Sequence, residues 1–220
     1  MLVARHQTAG RGRQGRTWVD EPDAALLVSW SLRPNVETAS LVPLVTGTAV
    51  VRALQSEYGV AVALKWPNDV LVPSHGHRKL AGILAEAVSI GSELSVVVGL
   101  GLNVEFSGDV PHEIAGTAVD LASVLPEKAH GLTIDRSRLL ARLLVEVDRA
   151  LGELERGGAE AALAAYRPLC STLGQEVRFI SANGDVIGRA VDLDSAGGLI
   201  IQESADGRVT TVTAGDAHHL

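Results

Sequence analysis

The sequence predicts an α+β protein: a mixed or antiparallel sheet with packed helices, followed by a small β-barrel. Three observations predict it. Residues 1–172 mix alternating or continuous apolar runs of strand length with stretches of helical periodicity. From Leu173 onward only short strands remain, cut by Asn183-Gly184, Gly197-Gly198 and Asp206-Gly207; Asn-Gly and Asp-Gly are strong hairpin signals. The 220 residues are 46% hydrophobic but only 3% aromatic, which suits one medium domain plus a small one on an aliphatic core. The expected domains are 1–172 and 173–220.

Residues 2–6 read as a short strand that starts abruptly, so the first domain is expected to be incomplete at its N-terminus. Residues 25–32 set Leu26, Val28, Trp30 and Leu32 against Ala25, Leu27, Ser29 and Ser31, a strand buried mostly on one face. Arg33-Pro34-Asn35 ends it. Ser40 can cap a helix running to Tyr58, with Pro43 tolerated in its first turn and Gly59 as its stop. Residues 60–66 form the next strand, continued by Leu71 and Val72 beyond Pro67-Asn68-Asp69. Residues 73–78 are a turn, and 80–90 and 94–104 are two long strands joined at Gly91-Ser92. The unbroken run Val96-Val97-Val98 suits a central strand. A short helix is expected over 117–125, and Asp135 caps a long one that reaches Arg156. Gly157-Gly158 ends that helix, and 160–169 is one more, stopped near Pro168. Strands follow over 176–180, 186–193, 199–203 and 209–213.

Composition excludes several classes. A net charge of −7 argues against general nucleic-acid binding, and no helix-turn-helix precedes the first strand. Arg5, Arg11, Arg13 and Arg16 stand together, so basic character is local. Cys170 is alone, which rules out an intrachain disulfide and suits a reducing cytosol. No apolar run reaches membrane-spanning length, and the N-terminus lacks a signal-peptide core, so a cytoplasmic location is expected. His75 and His77 alternate in a turn without a third metal ligand.

The chemistry starts from residues 7–18, Gln-Thr-Ala-Gly-Arg-Gly-Arg-Gln-Gly-Arg-Thr-Trp. Glycine lets backbone approach a ligand closely, and arginine offers a planar charged fork to phosphate or carboxylate. Such a loop is built for an anion, and its like charges lead us to expect order only on binding. The spacing is formally that of a dinucleotide fingerprint. That motif needs a helix opening on its last glycine, and Thr17-Trp18-Val19-Asp20-Glu21-Pro22 is not helical. Three further clusters follow. Lys65-Trp66-Pro67-Asn68-Asp69 places a lysine and an aspartate around a proline turn. Arg78-Lys79-Leu80-Ala81-Gly82 starts a strand with a lysine and leaves room at Gly82. Gly99-Leu100-Gly101-Leu102-Asn103 puts two glycines in an apolar strand, for close ligand approach or for a bend over a helix. Together they describe a pocket with arginines, two lysines, one carboxylate and glycine walls. It suits reaction of a carboxylate with a nucleotide α-phosphate, because the cations offset repulsion between two anions.

These four motifs, with Glu86 closing the third, resemble those of biotin–protein ligases in order and spacing, and the resemblance spans the chain. It is nearest to the monofunctional actinobacterial type. The resemblance implies a class II synthetase-like catalytic domain over 1–172 and an SH3-like barrel over 173–220. It implies that biotin and MgATP give biotinyl-5′-AMP, which acylates one lysine of a biotin carboxyl carrier protein. By position, Lys79, Asp69, Arg13 and Lys65 would carry the chemistry. Gln7, Arg11, Gly12, Arg13, Lys79, Gly82 and Gly101 would hold biotin. Arg13, Arg16, Trp18, Lys65, Asn68, Asn103 and Thr117 would serve ATP and the adenylate. Magnesium would come with ATP, with Asp69 as a candidate ligand, and Asp69 would also orient the acceptor lysine or act as its base. The loop would close over the adenylate and shield the mixed anhydride from water. A monomer or weak homodimer with no DNA or membrane partner is expected.

Two departures stand out. The family's Ser/Thr-Thr-Asn segment upstream of the loop is not in the chain. Where the family has Ala-Thr-Ser-Leu, this sequence has Gly116-Thr117-Ala118-Val119; Thr117 can still cap the short helix, but a hydroxyl is missing at Ala118. The rival readings are a lipoate or octanoate ligase or transferase of the same fold, and a non-catalytic biotin- or adenylate-binding module.

Overall fold

The computed structural model describes all residues except 91–92, 107, 109, 111–113, 128–132, 181–183 and 214. Six strands form one sheet: β1 (Leu2–Ala4), β2 (Ala25–Leu32), β3 (Ala63–Lys65), β4 (Asp69–Val72), β5 (Arg78–Ile90) and β6 (Glu93–Asn103). Their order is β1-β2-β6-β5-β4-β3. Each neighbouring pair runs antiparallel. The β5–β6 hairpin sits at the centre, so Val96, Val98, Leu100 and Leu102 are buried, as the apolar run requires.

One helix packs on the sheet and a second packs on the first. Asn35 opens a 3-10 turn by accepting from the Glu37 amide, and α1 (Val42–Tyr58) follows with Pro43 in its first turn. Gly59, at φ 69°, closes α1 in the left-handed conformation that glycine takes freely. α1 is buried nearly all round. A Cβ on Gly47 would lie 3.2 Å from Leu64 and 3.7 Å from Ile83, so α1 packs hard on β3 and β5. α2 (Arg136–Tyr166) starts where Asp135 accepts from the Ser137 and Arg138 amides. Its Leu139, Leu143, Val147, Ala150 and Leu154 are buried, and each buried leucine contributes about 1.5–3 kcal/mol. Arg52 on α1 pairs with Glu153 on α2 at 2.8 Å, which fixes their register.

The last five strands, β7 (Glu176–Ile180), β8 (Val186–Leu193), β9 (Leu199–Glu203), β10 (Val209–Val212) and β11 (Asp216–His219), form a second sheet ordered β10-β9-β8-β7-β11. It occupies the region where the barrel is expected. Trp66 joins it to the first sheet: its indole N–H donates to Gly197 O at 2.9 Å, and its ring centroid lies 6.4 Å from that of Phe179. No helix among the described residues is long and apolar enough to cross a membrane.

Local expectations change in three places. Residues 60–62 are not strand, and β3 does not run on into Leu71 and Val72. Instead the chain reverses at the cis Trp66-Pro67 peptide, and Lys65 pairs with Asp69 across a hairpin. The helix expected over 117–125 shrinks to one 3-10 turn, Ala122–Val124, because Asp120 takes the Ser123 amide at 2.7 Å. Thr117 therefore caps no helix; its hydroxyl donates to Ile114 O. The two C-terminal helices meet at a kink at Gly158 (φ 64°, ψ −162°), as expected, and a 3-10 turn carries the second on to Leu169. Strand β11 gave no sequence signal, since Asp-Ala-His-His has little β character.

Candidate active site

The site is built on the β4–β5–β6 wall. Gly82 pairs directly with Gly101 across the β5–β6 ladder. Two opposed glycines leave a slot in the sheet face, and the Trp18 ring fills it. A Cβ on Gly101 would lie 2.5 Å from that ring, and one on Gly82 would lie 3.0 Å from it. Space, not unusual backbone, is what these glycines supply. The Trp18 indole N–H is buried there with no hydrogen-bond partner among the described residues.

Lys79 stands beside the slot. Its Nζ is 5.6 Å from the Trp18 ring centroid, within cation–π range, and 2.7 Å from Asp69 Oδ1. The angle to Asp69 falls outside hydrogen-bond geometry, so the contact is an ion pair. Backbone bonds fix the lysine from outside the sheet. Its N–H donates to Thr117 O at 2.7 Å, and its carbonyl accepts from Val119 N at 3.0 Å. Buried Asn103 adds to this brace: its amide donates to Val119 O at 3.1 Å and to Lys79 O at 3.4 Å. Asn68 ties the hairpin turn to β5 by donating to Ile83 O at 3.1 Å, and its Oδ1 accepts from Arg13 at 3.2 Å.

The glycine–arginine loop faces this wall. It is a closed hairpin, with Gly12 N donating to Arg16 O at 2.6 Å and Trp18 N donating to Gly10 O at 3.0 Å. Gln14 (φ 54°) and Gly15 (φ 73°) turn its tip in left-handed backbone. Each arginine has an acidic partner on another element. Arg11 donates to Glu86 at 3.0 Å, Arg16 hydrogen-bonds Asp216, and Arg13 lies 3.8 Å from the same carboxylate. The sequence leads us to expect a self-repelling loop when empty; these carboxylates offset the repulsion. Burial lowers the Arg13 pKa, opposed by Asp216 and then Asp69.

Loop and wall enclose a cavity of about 290 Å³, at the small end of the roughly 300–1,000 Å³ typical of ligand sites. Gln7, Arg11, Gly12, Arg13, Arg16, Trp18, Asn68, Asp69, Lys79, Gly82 and Gly101 all line it. Lys65, Asn103 and Thr117 do not. Lys65 lies toward β11, where its charge, after burial, pushes the His219 pKa down. Asn103 and Thr117 brace Lys79 from behind. A second cavity, about 890 Å³, is lined by the loop together with Leu84, Glu86, Ile180 and Gly215. Among the described residues no three His, Cys, Asp or Glu side chains cluster to hold a metal. Sequence reasoning missed Asp216, because nothing local marks an acid 200 positions from its partner.

Known proteins resemble the chain over this same architecture. Residues 1–103 match the biotin/lipoate A/B protein ligase family, and residues 172–220 match the biotin protein ligase C-terminal domain. The chain is 36% identical to the biotin–[acetyl-CoA-carboxylase] ligase of Mycobacterium tuberculosis, covering 100% of this chain and 79% of that protein. It is 29% identical to the bifunctional ligase/repressor BirA of Escherichia coli, over 91% of this chain and 61% of that one. The structure of a biotin protein ligase from Aquifex aeolicus in complex with biotin and ATP superposes with a TM-score of 0.81 at 29% identity, covering 99% of this chain and 87% of that one.

Proposed function

The chain belongs to the biotin protein ligase family, and on that premise we propose how its cavity divides the work of an ATP-dependent ligase. The reaction joins biotin to ATP and then to a lysine of a carboxyl carrier domain. In the first step a biotin carboxylate oxygen attacks the α-phosphorus, the bond to the β-phosphate oxygen breaks, and pyrophosphate leaves. In the second the carrier lysine amine attacks the acyl carbon, AMP leaves, and the amine gives up a proton.

The observation that carries this reading is the Lys79 ammonium poised over the glycine slot, 2.7 Å from Asp69 and opposite the arginine loop. Two anions must meet in the first step, and Lys79 offsets their repulsion, while Arg13 on the loop holds the nucleotide and retains the adenylate. Biotin takes the slot between Gly82 and Gly101. Trp18, whose ring holds that slot with an unpaired N–H, gives it up and stacks elsewhere along the nucleotide. Gln7, Arg11 and Gly12 hold the acid at the loop side; Arg16 and Asn68 serve the nucleotide. Asp69, once Lys79 turns to the reactants, receives the incoming amine and its proton. Lys65, Asn103 and Thr117 act from the periphery, the last two by fixing Lys79. Asp69 would be the carboxylate at hand for a magnesium ion accompanying ATP, which would supply screening of phosphate charge. The catalytic unit is 1–172 and the C-terminal unit 173–220. The protein works in the cytoplasm as a monomer or weak homodimer, and its net charge of −7 supports a ligase with no DNA-binding role.

Biotin-dependent exchange of pyrophosphate into ATP tests the reading, with lipoate and octanoate as controls. Exchange with biotin alone is the expected result. Exchange with lipoate or octanoate would transfer the site to that chemistry, and none with any acid would leave a binding module.

A further inference from the structure

The second sheet meets the cavity-lining loop arginines through an acid. Asp216 opens β11, and its carboxylate hydrogen-bonds Arg16 while lying 3.8 Å from Arg13. Asp216 and Arg13 are only 19% and 20% exposed. By contrast, the other acid gripping the loop, Glu86, meets Arg11 with the two side chains 44% and 72% exposed. Exposed pairs of that kind contribute little; Arg16 is itself 59% exposed, so what sets Asp216 apart is its own burial and its second, mostly buried neighbour Arg13.

Its position is set by the fold. Gly215 enters β11 at φ 136°, and its Cα packs so closely on the Phe179 ring that a Cβ could not fit. Phe179 touches Trp66, whose peptide begins the turn carrying Asn68 and Asp69. A chain of packed groups thus holds the Asp216 carboxylate at a fixed place relative to the wall. The two arginines also differ in how they meet it. Arg16 is hydrogen-bonded, whereas Arg13 is only within ion-pair range and already donates to Asn68.

We propose that Asp216 is a positioning residue. It anchors the loop through Arg16 and offsets the repulsion between Arg16 and Arg13, so that Arg13 faces the cavity before any nucleotide arrives. The second sheet thereby governs ATP capture and adenylate retention. The proposal rests on the ligase reading for its kinetic consequence, but the anchoring itself does not.

Asp216→Asn in the full chain tests it. Trypsin cuts after arginine, so cleavage at 11–16 in the ligand-free protein reports loop opening without any activity. Cleavage there should quicken by about fivefold or more relative to the rest of the chain. In pyrophosphate exchange the ATP KM should rise by more than kcat falls, and Asp216→Glu should recover most of the difference. Arg16→Ala combined with Asp216→Asn should be no worse than Arg16→Ala alone, because the two act through one contact. Unchanged cleavage, or additive losses, would overturn the proposal. If Asp216→Asn melts early, the exchanged pair Arg16→Asp with Asp216→Arg decides: regained trypsin protection supports the anchor, and its absence refutes it. If the unmutated protein shows no exchange with biotin, the ligase reading fails, while the trypsin result still judges the anchor.

Discussion

The cavity has one wall held by backbone and one held by charge. Lys79, Gly82 and Asp69 sit on a ladder of paired strands, Asn68 is tied to it from the adjoining turn, and Lys79 is pinned again by the 117–119 segment. Arg11, Arg13 and Arg16 sit on a loop whose grip on the rest of the molecule is mostly ion pairs with Glu86 and Asp216. Backbone ladders place a group to within tenths of an ångström and ignore salt. Ion pairs let a segment leave and return. The difference assigns bond-making to the wall and capture and retention to the loop.

The wall should show the largest effect. Lys79→Ala is expected to cut biotin-dependent pyrophosphate exchange by about a hundredfold or more with little change in melting. Near-normal turnover would remove the wall from the chemistry. Next comes the slot. Gly101→Val puts a side chain where the Trp18 ring already lies 2.5 Å from a Cβ position. The sheet cannot yield but Trp18 can leave with the loop, so we expect little change in denaturant unfolding and loss of biotin binding by calorimetry. Unaltered biotin affinity would mean the slot is not the acid's site. Gly15→Ala is the matching change in the loop. Its Cβ would meet nothing within 4 Å, and only the φ of 73° is strained. That costs about 1 kcal/mol locally, so tryptic cleavage of the loop should rise while global melting stays put. The smallest effect is salt. Raising ionic strength from about 0.05 to 0.5 M should quicken loop cleavage and leave hydrogen exchange at Gly82 and Gly101 unaltered. Equal responses from both regions would erase the contrast.

The same contrast governs what the sequence revealed. The wall's motifs are short and local, so Lys79, Gly82 and Gly101 stood out by residue type and spacing, with a bend over a helix still open for the 99–101 glycines, and the family resemblance gave them their roles. The loop's glycines and arginines were equally plain. What could not be read is everything that holds them. Asp216 lies 200 positions from Arg16, on a strand with no β signature. Asn103 was placed at the nucleotide by the family resemblance; that its amide donates to Val119 O and Lys79 O is a tertiary fact no local pattern shows. Thr117 looked like a helix cap, but Asp120 wins the Ser123 amide, and Thr117 instead offers its carbonyl to Lys79. The Lys65–Asp69 segment read as an interrupted strand, since Leu71 and Val72 continue the apolar pattern; only pairing shows it to be a hairpin. Local chemistry was legible, and tertiary hydrogen bonding was not.

The most direct test follows one turnover by rapid quench in Arg13→Ala and Lys79→Ala, measuring adenylate formation and its release separately. The account predicts that Lys79→Ala loses formation. Arg13→Ala should form adenylate at a rate nearer the unmutated protein's and release it faster. If Arg13→Ala instead loses formation as completely as Lys79→Ala and holds its adenylate as long as the unmutated protein, the division between wall and loop is wrong.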